Sequence, residues 1–161
     1  DSLSVLAVNQ NNSIHCKKGC HWCCHQPVFA LNYELDYLNY FIKNNLAAEK
    51  QKTIQEKAQV KMKVLEKLNK DEILNSKHPC PLLEDGACSV YHARPMACRI
   101  YLSTNLQSCL KFFNKPNDKK NFPALLDFPM QAGRMINEGF KSALKTNGYK
   151  VKEFRIEEKL L

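Results

Sequence analysis

No stretch of this sequence approaches the eighteen or so uninterrupted apolar residues that a membrane-spanning helix needs, so no membrane role is expected. The residues from Asp1 to Asn9 carry no basic segment and too short an apolar run for a secretory leader, and a cytoplasmic location is expected. There is no phosphate-binding glycine loop, no GxSxG elbow and no dinucleotide fingerprint, which removes the common nucleotide-binding and serine-hydrolase chemistries. Internal repeats and low-complexity segments are missing too, so a solenoid or a disordered linker protein is not expected.

What the chain has in excess is cysteine. Cys16, Cys20, Cys23 and Cys24 lie within nine residues, and Cys80, Cys88, Cys98 and Cys109 follow after a gap of some sixty. Packing does not call for thiols this close together. Cysteine binds metal as the thiolate, and short spacers let one local segment present several sulfurs to one ion or cluster. If the first group is helical, its four sulfurs share one face at i, i+4, i+7 and i+8. If it turns at Gly19, they still converge. An even cysteine count also permits a disulfide framework. Against it stand the adjacent Cys23 and Cys24, which make poor partners for each other, and a chain of 161 residues, long enough to bury a core without covalent staples. All eight cysteines are therefore candidate ligands of one or two centres, joining the Cys16–Cys24 segment to the Cys80–Cys109 region.

The run Cys16-x3-Cys20-x2-Cys23-Cys24, followed by Cys80-Pro81-Leu82-Leu83, Gly86-x-Cys88-x2-Tyr91-x2-Arg94-Pro95-x2-Cys98-Arg99, resembles the YkgJ-type cysteine-cluster family, also called the CxxCxxCC zinc- or iron-chelating domain. The likeness spans roughly Cys16 to Cys109. It implies thiolate binding of zinc or iron, or of an iron–sulfur cluster, and a related domain occurs in flagellin lysine methylases. The family pattern has a two-residue first spacer where this chain has three between Cys16 and Cys20.

Other cysteine patterns fit less well. Radical SAM enzymes use a Cys-x3-Cys-x2-Cys run but need a barrel of repeated strand–helix units, and this chain does not alternate in that way. The bacterial ferredoxin run orders its spacers differently. Two-histidine zinc fingers want paired histidines free of interleaved cysteines. His15, His21, His25, His78 and His92 each lie close to a cysteine and read as neighbours of the centre or as surface groups, because thiols are already sufficient. Arg94 and Arg99 stand near Cys98. A guanidinium beside thiolates lowers their pKa and donates hydrogen bonds to sulfur, although an ordinary salt bridge explains Arg94 equally well.

Apolar periodicity predicts mainly helix. Leu35, Leu38, Phe41, Ile42 and Leu46 mark a helix from about Tyr33, capped by Asn32, with Tyr33, Tyr37 and Tyr40 expected in the core. Asn44–Asn45 should break the chain before a second helix over 47–70, with Ile54, Ala58, Met62, Leu65 and Asn69 on one face. Its lysines, Lys61 among them, read as a solvated face. Glu84-Asp85-Gly86 predicts a tight hairpin carrying Cys80 and Cys88. His92–Tyr101 suits one or two helical turns, and Ser103–Phe122 reads as irregular around a turn at Lys115–Asp118. A last helix over 129–146 would bury Met130, Gly133, Ile136, Phe140 and Leu144 and end at Asn147–Gly148, with Gly133 marking a close approach. Beyond it, Tyr149–Ile156 reads as a strand or an extended tail. Together these give a mainly α, small single domain over 1–161 with a short β-hairpin, organised around a cysteine-rich metal site.

The net charge of +8 fits an anionic partner, and it also offsets the negative charge of bound thiolates. A metal ion or cluster is the expected partner, and an acidic protein is left open. Nucleic acid is not, since no stacking aromatics interleave with the lysines. Three functions remain open at this point: a zinc, iron or iron–sulfur binding module, an enzyme or enzyme subunit using an iron–sulfur cluster for chemistry such as protein-lysine methylation, and a structural zinc domain that binds a partner through its basic helix.

Overall fold

The computed structural model describes residues 5, 13–17, 19–118 and 120–160. Among them lie six α-helices and two short antiparallel ribbons, so the chain is mainly α.

Helix α1 (Asn32–Asn45) buries Leu35, Leu38 and Ile42, the stripe that the periodicity marks. Its start is set by Glu34 rather than by Asn32. Glu34 Oε2 accepts the backbone N–H of Leu31 at 2.9 Å. The Asn32 side chain instead accepts the N–H of Lys152 at 3.0 Å and donates to the carbonyl of Lys150 at 3.2 Å, pinning the C-terminal segment. Tyr37 and Tyr40, expected in the core, are 55% and 65% exposed, because they lie across the helix from its apolar stripe.

Helix α2 (Ala48–Leu65) buries Ile54, Ala58 and Leu65. It stops short of the expected Lys70. Asn69 caps a separate helix α3 (Lys70–Asn75), its side chain accepting from Glu72 N–H while Glu72 accepts from Asn69 N–H. That reciprocal pairing gives Asn69 a better place at a helix start than on a helix face. A second correction concerns Lys61, which is buried and ion-paired with Glu157.

The predicted hairpin is present as β2 (Leu83–Glu84) and β3 (Ala87–Cys88), but it carries only Cys88, since Cys80 lies three residues before β2. Asp85 and Gly86 have φ of 47° and 73°, the paired positive values of a two-residue hairpin turn. A 3₁₀ turn (Tyr91–Ala93) and helix α4 (Met96–Arg99) follow. The stretch expected to be irregular contains helix α5 (Leu106–Asn114), because the Asn105 side chain caps it by accepting from Ser108 N–H at 3.1 Å. The turn at Lys115–Asp118 is there as read, closed by Asp118 N–H onto the Lys115 carbonyl.

Helix α6 (Asp127–Thr146) begins two residues earlier than expected and ends at Gly148, whose φ is 82°. It buries only Pro129 and Gly133. Ile136 and Phe140, expected inside, are about half exposed, because the helix meets the body mainly where Gly133 lies against Ile100, just after α4. The tail forms β4 (Glu153–Arg155), which pairs with β1 (Phe29–Leu31) in the register Phe29 to Arg155 and Leu31 to Glu153. One apolar cluster joins these parts: Ala30, Leu35, Leu38, Ile42, Ile54, Leu82, Val90, Ala93 and Ile156, with Cys80, Cys88 and Cys98 packed against it.

Candidate metal centre

The first cysteine segment is not one helix. Gly19 turns the chain with φ of 88°, and only Trp22–His25 is helical, as a 3₁₀ turn carrying Cys23 and Cys24. The backbone N–H of Cys80 donates to the carbonyl of Cys24 at 2.7 Å, which locks this turn against the approach to the hairpin. Cys88 lies on β3 and Cys98 on α4. As a result Cys23, Cys24, Cys80, Cys88 and Cys98 line one cavity of about 300 Å³, whose remaining wall includes Val28, Leu82, Val90, Ile156, Arg94 and Tyr101. All eight cysteines are free thiols.

Burial opposes the ionisation of most of these thiols. Burial pushes Cys80 up to about 11 and Cys98 higher still, the neighbouring thiolates adding to the effect on Cys98. Cys24 donates its S–H to Cys23, which holds Cys23 below the ordinary thiol range and Cys24 above it, and the Arg94 guanidinium adds to the lowering of Cys23. Backbone N–H groups oppose the burial. Those of Trp22, Leu82 and Val90 point at the sulfur two residues earlier, on Cys20, Cys80 and Cys88. A repeated N–H to sulfur contact of this kind stabilises thiolate and orients it, which is what a ligating cysteine needs.

Cys16, Cys20 and Cys109 lie outside that cavity wall and near one another. The sulfur of Cys16 accepts the N–H of Ser103 at 3.2 Å, and His15 N–H bonds the Ser103 carbonyl at 2.9 Å, so this strand-like piece docks beside α4 and α5. Cys109 rides on α5, which packs on the first 3₁₀ turn through Phe113, 5.0 Å from the rings of both Trp22 and His25. The thiols of Cys16 and Cys20 are raised, chiefly by burial, and the charges of Cys23 and Cys109 raise both further. Cys23 thus faces both groups.

The donor set fits a thiophilic ion such as zinc or iron: free thiols, backbone N–H groups at the sulfurs, an arginine, and little else that ligates. Among the described residues no three Cys, His, Asp or Glu side chains are already closed around one point. The sulfurs line a wall, and loading would draw them inward.

Of the two arginines, Arg94 lines the thiol cavity and lies over the Tyr91 ring at 3.5 Å. Arg99 belongs to a different surface. Its Nε donates to the Arg94 carbonyl at 2.7 Å and its Nη2 to the His92 carbonyl, bracing the loop that holds Arg94. His21 and His25 are engaged with the carbonyls of Gly19 and His21 through Nδ1. No motif marks Gln26 and Tyr101, which hydrogen-bond each other at 3.1 Å with both on the cavity wall. Burial raises the Tyr101 hydroxyl to about 12, so it stays a donor.

A family model for the CxxCxxCC domain, described as "Putative zinc- or iron-chelating domain", matches residues 15–124. No curated protein and no solved structure matches the chain.

Proposed function

The chain belongs to the CxxCxxCC family, and on that footing we propose that it is a metal-binding protein that holds zinc or iron, the latter as an ion or an iron–sulfur cluster, through Cys23, Cys24, Cys80, Cys88 and Cys98. One observation carries this: five thiols from two segments more than fifty residues apart share a single cavity. Arg94 offsets thiolate charge there, and the Gln26–Tyr101 pair fixes one wall. Bound metal would supply Lewis acidity or, as iron, an electron-transfer site.

A second position is supported by the proximity of Cys16, Cys20 and Cys109 to Cys23. In that arrangement Cys24, Cys80, Cys88 and Cys98 serve one centre, and Cys16, Cys20, Cys23 and Cys109 serve the other. Because the ligands come from remote segments, loading is coupled to folding.

Metal analysis and a visible spectrum of anaerobically purified protein test the proposal. Broad absorbance near roughly 400 nm indicates an iron–sulfur cluster, and colourless protein with stoichiometric zinc indicates the thiolate ion site. The Cys23→Ser, Cys24→Ser double variant should lose the metal. Wild-type protein that retains neither zinc nor iron, or whose cysteines are joined pairwise, ends the proposal. Two centres predict that Cys109→Ser gives up part of the metal and Cys98→Ser the other part, whereas one centre predicts no effect of Cys109→Ser.

A further inference from the structure

Lys61 lies on the buried face of α2, between Ala58 and Leu65, where it is 7% exposed and Glu157 opposite it is 1% exposed. Their charges meet at 3.4 Å, Lys61 Nζ to Glu157 Oε2. Arg155 Nε lies 3.1 Å from the other carboxylate oxygen of Glu157, close enough for an ion pair but not aligned for a hydrogen bond, and Arg155 reaches outward to Glu158 at 2.7 Å. Lys61 and Arg155 thus both face the one deeply buried carboxylate, and with Arg155 also paired to the part-exposed Glu158 the four charges balance. Burying charge in this way costs stability unless something else uses it.

The user is close by. Lys61 and Cys80 line the same cavity of about 460 Å³ between α2 and the Pro79–Pro81 turn, and Cys80 also lines the thiol cavity on its other side. Ile156, next to Glu157, lies in the wall of that thiol cavity. Lys61 thus reaches Cys80 from the second cavity, whereas Arg94 lines the thiol cavity itself. Arg155 and Glu157 lie beyond residue 124, where the family match ends, so part of the device is supplied by this chain's own C-terminal segment.

We propose that Lys61 is a positioning residue for the metal centre, a buried cation held near Cys80 by Glu157 to offset the negative charge of the assembled thiolates. This rests on the metal-binding reading above. A divalent ion with four thiolates is a dianion, and in an apolar surround it is stabilised by fixed positive charge placed nearby. Arg94 lines the thiol cavity, and Lys61 lines the second cavity that Cys80 shares.

Zinc affinity of the full chain in reducing buffer, measured by competition with a chromogenic chelator, tests this. Lys61→Met should weaken zinc binding about tenfold or more, the range over which groups just outside the ligands act. Lys61→Arg, which keeps the charge, should bind within about threefold of wild type, small against that range. The Lys61→Met, Glu157→Gln double variant leaves no stranded carboxylate and carries the test should the single variant not fold. It should stay about tenfold weak, with the melting temperature of its zinc-free form close to wild type. Wild-type affinity in the double variant would mean that Lys61 only neutralises Glu157, and the inference falls while the metal reading stands. A wild-type chain that takes up neither zinc nor iron overturns both.

Discussion

The backbone N–H of Cys80 bonds the carbonyl oxygen of Cys24 at 2.7 Å, so the two cysteine segments touch through their main chains. The thiols of Cys23, Cys24, Cys80, Cys88 and Cys98 are therefore brought together by the fold itself, while their ionisation is opposed by burial. An ion that binds the folded chain alone adds stability as its concentration rises above its dissociation constant, about 2.7 kcal/mol at a hundredfold excess. For a chain of this size that is roughly 5–11 °C in melting temperature. Removing metal with a strong chelator should lower the melting temperature by that amount, and adding zinc back should restore it. Scanning calorimetry checks this, and an unchanged melting temperature after verified metal removal would contradict it.

Glu34 should matter more than its place near a helix start suggests. Its two oxygens accept the backbone N–H groups of Leu31 and Met96, at 2.9 and 2.7 Å, so one carboxylate opens both α1 and the helix that carries Cys98. Hydrogen bonds to a charged acceptor contribute about 1.5–3 kcal/mol each, less where solvent replaces them. Glu34→Ala should cost about 2–3 kcal/mol in all and release the amide of Met96. Chemical denaturation gives the first value. Amide hydrogen exchange gives the second, with faster exchange at Met96 expected.

How far these features could be read from the chain differs by kind. The α1 stripe of Leu35, Leu38 and Ile42 was legible because helical period and burial coincide there. So was the hairpin, since Asp85–Gly86 accepts positive φ cheaply. The cysteine spacing names the candidate ligands but not their grouping, because that depends on the turn at Gly19 and on α5, a helix marked at its start by little more than the cap at Asn105. Lys61 was illegible for a different reason. It is in phase with the buried stripe, three residues from Ala58 and four from Leu65, but a lysine among lysines reads as solvated, and its partner Glu157 comes from the distant Ile156–Glu158 turn. Ile136 and Phe140 show the converse, apolar residues at helical spacing on a face that α6 leaves uncovered.

The thiols should differ in reactivity once the metal is gone. Cys24 gives its proton to the hydrogen bond with Cys23, and with Arg94 nearby this holds Cys23 below the ordinary thiol value of about 8.5. Cys80 is raised by burial to about 11. Thiolate is the reactive form, and its fraction grows as pH rises through each group's own pKa. Alkylation of metal-free protein should therefore reach Cys23 at lower pH than Cys80 or Cys98. Arg94→Gln and Cys24→Ala should each move the Cys23 profile to higher pH. Mass spectrometry of the labelled peptides over a pH series reads this directly, and labelling of Cys80 ahead of Cys23 would contradict it.

The two glycines of α6 should respond oppositely to the same change. A Cβ at Gly133 would lie 2.1 Å from Ile100 Cγ2 and 3.1 Å from the Met96 sulfur, whereas one at Gly139 meets nothing within 4 Å. Both positions are helical, where alanine is favoured over glycine by about 0.8–1 kcal/mol. At Gly139 that preference acts unopposed, and Gly139→Ala should raise stability by nearly this much. At Gly133 the added methyl forces Ile100 or the helix to shift, and overpacking of this sort costs about 1–3 kcal/mol. The net effect of Gly133→Ala should be destabilising by up to about 2 kcal/mol. The shift falls on α4, which carries Cys98, so zinc affinity should drop in Gly133→Ala and hold in Gly139→Ala. Denaturation midpoints and chelator competition on both variants check the pair, and equal behaviour of the two would show that α6 does not rest on α4 through Gly133.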